Sequence, residues 1–206
     1  MITDPPVPAV PAAVPAVAPP VVPEGRMAAV AQPVLAVSAG LELRPWRPED
    51  AGALVAAGRD AAIRQWNLLA VPTAEDARLR IARMQQRWQA EEAAIWAMAR
   101  PGGEVLGLVG WNDVDLTAGS AEIVYWVLPH ARGGGLVVEA VRRAGRWALD
   151  ELGLHRLTLC HSTANPASCR VADKAGYTVE GTMRSSLRHA DGWHDQHLHA
   201  LVAGDL

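Results

Sequence analysis

From about residue 41 the hydrophobic pattern changes period several times, and each change marks an element. Leu41-Glu42-Leu43-Arg44 alternates with period two, as a half-buried strand does, and Pro45 closes it. Pro48-Glu49-Asp50 then opens a helix to about Arg59, its acidic first turn suited to the positive end of the helix dipole. Thr73 with Asp76 three residues on is a capping-box pattern. The helix it opens runs to about Ala90, with Ile81, Met84 and Trp88 at helical spacing. Between these helices Ile63, Trp66, Leu68 and Leu69 form an apolar connection readable as core or as a lid. Three strands are predicted next, Ala94 to Ala99, Val105 to Trp111 and Ala121 to Leu128, separated by Pro101-Gly102-Gly103 and a polar loop around Thr117 to Ser120. That spacing predicts an antiparallel meander.

The next helix carries Val137, Val141, Ala144, Ala148 and Leu152 on one face and Glu139, Arg142, Arg143, Arg146 and Asp150 on the other, and Gly153 stops it. A strand at Arg156 to His161 follows, so the helix lies inside a β-α-β unit with parallel neighbours and a right-handed crossover. Asn165 and Pro166 read as the N-cap and first residue of a short helix ending at Lys174-Ala175-Gly176. Strands near Tyr177 to Arg188 and Trp193 to Val202, turned by Asp191-Gly192, close the chain.

The first 40 residues break this pattern: Pro5, Pro6, Pro8, Pro11, Pro15, Pro19, Pro20, Pro23 and Pro33 sit among Ala and Val, which predicts a disordered or polyproline-type arm over 1–40 ahead of one domain over 41–206. The prolines exclude a spanning helix, and no Lys or Arg precedes Arg26 to start a secretory signal, so neither membrane nor export is expected. Met27 is a candidate internal start. The formal net charge of −3 has no basic stripe, so nucleic acid is not expected as a partner. Cys160 and Cys169 lack the spacing of a disulfide framework or a zinc motif and read as reduced thiols of a cytoplasmic protein. Oligomeric state is not legible, and a homodimer is compatible with the sequence.

Candidate chemistry begins at Val127-Leu128-Pro129-His130-Ala131-Arg132-Gly133-Gly134-Gly135-Leu136, where an apolar strand ends and three glycines open the patterned helix. Glycines let backbone approach a ligand, and the first turn of a helix presents unpaired N–H groups and a positive dipole, which suits a pyrophosphate. Arg132 adds a fixed charge. A P-loop would need Gly-Lys-Ser/Thr, but Leu136-Val137 follow Gly135; a dinucleotide fingerprint would need glycine where Val138 stands. A turn with no ligand is the plainer alternative.

Ala121-Glu122-Ile123-Val124-Tyr125-Trp126-Val127, Arg132-Gly133-Gly134-Gly135, Asn165-Pro166-Ala167-Ser168 and Asp173-Lys174-Ala175-Gly176-Tyr177, with Glu180-Gly181 and Arg184, resemble the RimJ/RimL-type branch of the GNAT N-acetyltransferases over about residues 41 to 203. The resemblance implies an α/β (α+β) fold with a mixed sheet of six to seven strands, splayed between the fourth and fifth, and about four helices. It implies acetyl-CoA as co-substrate, no metal, and transfer of the acetyl group to a primary amine, a protein N-terminus or a small molecule, in a ternary complex. A longer donor such as succinyl-CoA and a non-catalytic CoA-binding sensor are the alternatives. The pyrophosphate loop maps onto Arg132, Gly133, Gly134, Gly135, Leu136 and Val137; Val137 departs from the small residue usual there, as Val124 does before the Tyr-Trp pair. Trp126 and Val127 would pair with the pantetheine arm, the Val127 N–H polarising the thioester carbonyl.

By the same resemblance Glu122 matches the proposed base and Ser168 the proposed acid, against the plainer readings of a solvated strand-end charge and a first-turn serine. Asn165 either caps its helix or contacts CoA. His130 reads as a solvated side chain. His194, His197 and His199 suggest a metal cluster until strand alternation puts His194 on the opposite face from the other two, so no metal is expected. Cys160 is a core thiol rather than an acyl carrier. Trp66, Trp111 and Trp193 are candidates for the acceptor pocket.

Overall fold

Strand-period and helix-period segments fold together into one sheet with helices on both faces. The computed structural model describes residues 18–38 and 40–205. In chain order it comprises β1 (Leu35–Ser38), β2 (Leu41–Pro45), α1 (Ala51–Arg59), α2 (Ala61–Asn67), α3 (Ala74–Gln89), β3 (Ala94–Ala99), β4 (Val105–Asp115) and β5 (Ser120–Val127). After these come α4 (Leu136–Arg146), β6 (Arg156–Ser162), α5 (Pro166–Ala175), β7 (Thr178–His189) and β8 (Gly192–Val202). The strands lie in the order β1-β2-β3-β4-β5-β6-β8-β7, and only β5 with β6 is parallel.

Alternation along the meander builds two cores. Trp96 and Met98 of β3 face one core with Val141 and Ala144 of α4 and Ala172 of α5, while Ile95 and Ala97 face another with Leu54 of α1, Ile63 of α2 and Ile81 of α3. Tryptophans supply the bulk that a chain without Phe lacks. Trp96 and Trp147 meet edge to face at 4.8 Å, and Trp88 lies 5.8 Å from Trp147. The predicted caps form: Thr73 Oγ1 accepts the Asp76 N–H at 3.1 Å, and Asn165 Oδ1 accepts the Ser168 N–H at 3.2 Å. At Trp147 α4 widens into a π-type turn that ends at Gly153, whose φ is +94°.

Two elements exceed the expected count. The apolar connection holds α2, capped by Asp60, which takes the Ile63 N–H at 2.8 Å. The other is β1, which comes from the arm and corrects the expectation of disorder through residue 40. Val22, Met27 and Leu35 are 1–2% exposed. Indole N–H groups of Trp88 and Trp96 donate to the Val30 and Pro33 carbonyls at 3.0 and 2.8 Å, and the Glu91 carboxylate accepts the N–H groups of Gly25, Met27 and Ala28 at 2.6, 2.5 and 3.1 Å. Proline has no N–H to satisfy, so a proline-rich segment can pack its apolar side chains without a ladder of its own. Pro5 to Pro15 lie outside the described residues. Val22, ahead of Met27, is part of the core, so the fold uses residues upstream of that methionine.

Candidate active site

β5 and β6 pair only at Ser120–Arg156, Ala121–Leu157 and Glu122–Thr158, after which they diverge. With β1 added at the edge, this is the separation expected between the fourth and fifth strands. β5 stays bonded to β4 through Val127, opposite Gly107, and β6 to β8 through Ser162, so each strand is supported on its outer side. The Leu128 N–H donates to the Leu106 carbonyl at 2.8 Å. Period two therefore turns the Trp126 N–H toward β4 as well, and the Val127 and Tyr125 N–H groups toward the gap. A cavity of about 730 Å³ occupies the gap, lined from β5, β6, the glycine turn, α2, α5 and the closing strands.

The glycine turn bounds one end. Gly133 and Gly135 have φ of +88° and +77°, and a Cβ at either would stand in open space, so glycine is required there by backbone conformation and leaves room for a ligand. Gly135 is the N-cap of α4 and no side chain caps the first turn. Arg132, Gly133, Gly135, Leu136 and Val137 line the cavity; Gly134 does not, and its missing Cβ would point toward Leu136. Val137, the departure from the family pattern, packs against the core under α4 while still facing the cavity. Arg132 Nη2 is held at 2.7 Å by Asp60 Oδ1, an acceptor that sequence reasoning missed because it lies 72 residues away. Arg170 and Lys174 of α5 add two cations to the lining. His130 lies outside the cavity, exposed beside Glu104.

Glu122 sits where the strands diverge. Burial, then the charge of Asp113, push its carboxyl above the usual range, while a hydrogen bond with Cys160 opposes them. Burial and Glu122 together push the Cys160 thiol up to about 12, so it stays protonated and is a poor nucleophile. On the other face of β5, Tyr125 Oη is hydrogen-bonded to Ser168 Oγ, and burial pushes the phenol up to about 12. Tyr125 is the functional neighbour of Ser168 that the sequence did not reveal. Asn165 caps α5 with its oxygen and lines the cavity, which leaves its amide nitrogen for a ligand. Trp126 lines the cavity, but its backbone N–H turns toward β4 and its ring is buried 6.0 Å from Trp46.

The wall opposite the glycine turn comes from α2 and the closing strands. Trp66 packs edge-on to His189 and His194 at 5.5 and 6.1 Å. His194 is fixed by Ser162 Oγ at 2.7 Å and Asp191 Oδ1 at 3.0 Å. Of the tryptophans expected in the acceptor pocket, only Trp66 lines the cavity. Trp111 is fully buried among the residues under α4, on the sheet face that its alternation with Asn112 dictates, and Trp193 is 64% exposed at the start of β8.

Residues 40–178 match the family described as Acetyltransferase (GNAT) domain. The chain belongs to the GNAT acetyltransferase family. It is 30% identical over 92 residues to the putative ribosomal N-acetyltransferase YdaF of Bacillus subtilis (strain 168), covering 45% of this chain and half the length of that relative. It is 29% identical over 135 residues to the probable N-acetyltransferase YjcK of the same organism, covering 65% of this chain and 75% of that one. Among solved structures, RimL, a ribosomal L7/L12 alpha-N-protein acetyltransferase in complex with coenzyme A, superposes with a TM-score of 0.76 at 20% identity, over 84% of this chain and all of that one. Relatives named for ribosomal-protein acetylation are among the proteins it resembles, and acetyl-CoA is the acyl donor of GNAT acetyltransferases.

Proposed function

We propose that this GNAT domain transfers the acetyl group of acetyl-CoA directly to a primary amine, with a protein N-terminal α-amine as the acceptor class. The observation that carries the reading is the β5–β6 gap, with backbone donors of β5 on one edge, a glycine-capped helix at one end and Glu122 where the strands diverge. The pyrophosphate is held by the α4 first turn with Arg132, Gly133, Gly135, Leu136 and Val137, and the pantetheine arm adds as a strand would to the gap-facing backbone of β5 at Tyr125 and Val127, not at Trp126, whose backbone groups turn toward β4. The Val127 N–H meets the developing oxyanion. Glu122, with its raised pKa, accepts the amine proton as nitrogen attacks the thioester carbon. The departing thiolate takes the Ser168 proton, which Tyr125 replaces through their hydrogen bond.

Two features favour an α-amine. Its reference pKa of about 8 leaves more neutral amine at physiological pH than a lysine at about 10.4. The carboxylates lining the cavity are Asp113 and Glu122, against Arg132, Arg170 and Lys174, which is the wrong balance for polycationic polyamines or aminoglycosides. The relatives named for ribosomal proteins accord with a peptide acceptor. Among the described residues no helix is long and apolar enough to cross a membrane, and Cys160 and Cys169 are free. Release of free CoA from acetyl-CoA, measured against N-terminal peptides, polyamines and aminoglycosides, tests the proposal. Peptide-dependent release is expected; CoA binding with no release for any amine overturns catalysis, and release with polyamines alone overturns the acceptor class.

A further inference from the structure

Behind β6 three side chains that the acetyl-transfer reading leaves unused converge from three elements. His161 of β6 is paired with His197 of β8 and lies diagonally across from His199, and the Nε2 atoms of His161 and His199 are 3.0 Å apart. The Sγ of Cys169, in the first turns of α5, lies within 4.8 Å of a ring nitrogen of each histidine. The histidines are 5% and 1% exposed, and the thiol is half-buried.

The protonation of this pair is over-constrained. His161 Nδ1 is 2.9 Å from the Ser162 carbonyl, which can only accept, so Nδ1 carries the proton and Nε2 presents a lone pair. A plain histidine–histidine hydrogen bond then requires His199 to be protonated at Nε2, which strips Nδ1 of its proton. That Nδ1 is buried with no hydrogen-bond partner, so the lone pair it would then carry is unsatisfied. With the proton on Nδ1 of both rings, two Nε2 lone pairs are directed at each other. A cation between them makes that arrangement favourable, and His161 is held as metal-ligating histidines are, its distal N–H given to a backbone carbonyl.

We propose that His161 Nε2, His199 Nε2 and Cys169 Sγ form a binding site for a borderline-soft divalent cation of the zinc class. A tetrahedral zinc ion bonded to nitrogen at about 2.0–2.1 Å holds its nitrogens about 3.3 Å apart, so the two rings need to separate by only a few tenths of an ångström. Bonded to sulfur at about 2.3 Å it sets nitrogen and sulfur about 3.6 Å apart, so the thiol closes by about 1 Å, a movement within reach of a side-chain rotation on a half-exposed helix. On binding, the Cys169 S–H gives its proton to solvent and the thiolate becomes the ligand. The fourth position opens onto the surface cavity lined by Cys169, Asp173, Tyr177 and His199, where water or the Asp173 carboxylate completes the set. Two imidazoles and one thiolate select zinc over magnesium or calcium, which take oxygen. The pattern escapes sequence reading because the three ligands stand on separate elements; His197 and His199, which share a face, invite a pairing within one strand instead.

Cobalt(II) titration of the full chain, free of added histidines and stripped with chelator, tests the site. One equivalent is expected to bind with a near-ultraviolet thiolate-to-cobalt band, to be displaced by zinc, and to raise the melting temperature. Cys169→Ser, a change on a half-exposed helix position that leaves the fold in place, is expected to abolish the band and to weaken zinc binding by at least about tenfold. Cys160→Ser is expected to leave the band intact. Absence of a band in the wild-type protein overturns the site, as does a band that survives Cys169→Ser or vanishes with Cys160→Ser.

Discussion

Arg132 is engaged by Asp60 at 2.7 Å, so a pyrophosphate that takes up its guanidinium competes with this carboxylate. Burial raises the Asp60 carboxyl, but the Ile63 N–H and the Arg132 guanidinium outweigh that and hold it below its ordinary value, so it is ionised at neutral pH. The pair is partly solvated, Arg132 being 40% and Asp60 16% exposed by side chain, and such pairs are worth about 0.2–1 kcal/mol. Asp60→Asn removes the charge while keeping a side-chain oxygen to cap α2, since Asn caps as well as Asp. It is therefore expected to tighten CoA binding about 1.4- to 5-fold, the factor corresponding to that energy. Arg132→Ala removes charge-assisted contacts worth about 1.5–3 kcal/mol and is expected to weaken CoA about 10- to 150-fold, less the relief of Asp60. Calorimetric titration of CoA into the four members of the Asp60/Arg132 double-mutant cycle measures both, and the Asp60→Asn gain should shrink with added salt. An Asp60→Asn protein that binds CoA no better than the parent, or a gain of the same size with Arg132 already removed, would refute the competition.

Other perturbations reach the remaining elements of the site and fold. Because Glu122 must be deprotonated to act and its pKa is raised, kcat/KM is expected to fall on the acid side at a pH above the ordinary carboxylate range; Glu122→Gln should lose that limb and about 10²–10⁴-fold in turnover, and an unchanged profile removes Glu122 from the mechanism. Tyr125→Phe deletes the partner of Ser168 Oγ and is expected to lower kcat with little change in the KM for acetyl-CoA, a split that steady-state kinetics reads directly. Glu91→Gln weakens the arm's anchor and is expected to cost about 1–3 kcal/mol at neutral pH. The folded-state Glu91 pKa is lowered, so its stabilisation is present above the unfolded value near 4.3 and is lost as pH falls through the folded one; thermal melts of parent and variant should converge at acid pH. Gly107→Ala puts a Cβ 2.4 Å from the Trp126 carbonyl oxygen and is expected to cost about 1–3 kcal/mol while weakening CoA, both visible in a melt with and without ligand.

The legible regions of the molecule were those where one period runs uninterrupted. The β3–β5 meander, α3 with its Thr73–Asp76 cap and α4 up to Gly153 follow from spacing alone. β1 was hidden because a proline-rich composition reads as disorder, whereas Val22, Met27 and Leu35 bury without needing periodicity. α2 was hidden because seven residues are too few to show a face, and only the Asp60 cap announces it. Trp111 and Trp193 show that bulk does not give direction: one strand position turned toward the core under α4 and the other toward solvent. Tyr125 with Ser168, Asp60 with Arg132, and His161 with His199 join residues 43, 72 and 38 positions apart, a distance over which no local pattern carries information. The splay itself came from family resemblance, since nothing in the alternation of β5 or β6 says that two strands in register at Glu122 diverge immediately beyond it.

The divergence of β5 from β6 is fixed by what each strand pairs with on its outer side. Two strands with free inner edges would ordinarily close on each other or recruit another chain. Here β5 is held through Val127 by β4, whose Gly107 allows the backbones to approach, and β6 is held through Ser162 by β8, so closing the gap would require breaking an outer ladder. The Val127 and Tyr125 N–H groups face the cavity, and because hydrogen bonds to a peptide-like ligand replace hydrogen bonds to solvent, each adds little net affinity. On the proposed reading, affinity for the donor comes mainly from the pyrophosphate end, at Arg132 and the α4 first turn, and orientation comes from the strand. Weakening the first should raise the KM for acetyl-CoA with little change in kcat, and distorting the second, as Gly107→Ala does, should lower kcat as well. A Gly107→Ala protein that folds, binds CoA weakly and retains full kcat would separate strand pairing from catalysis and contradict this division of labour.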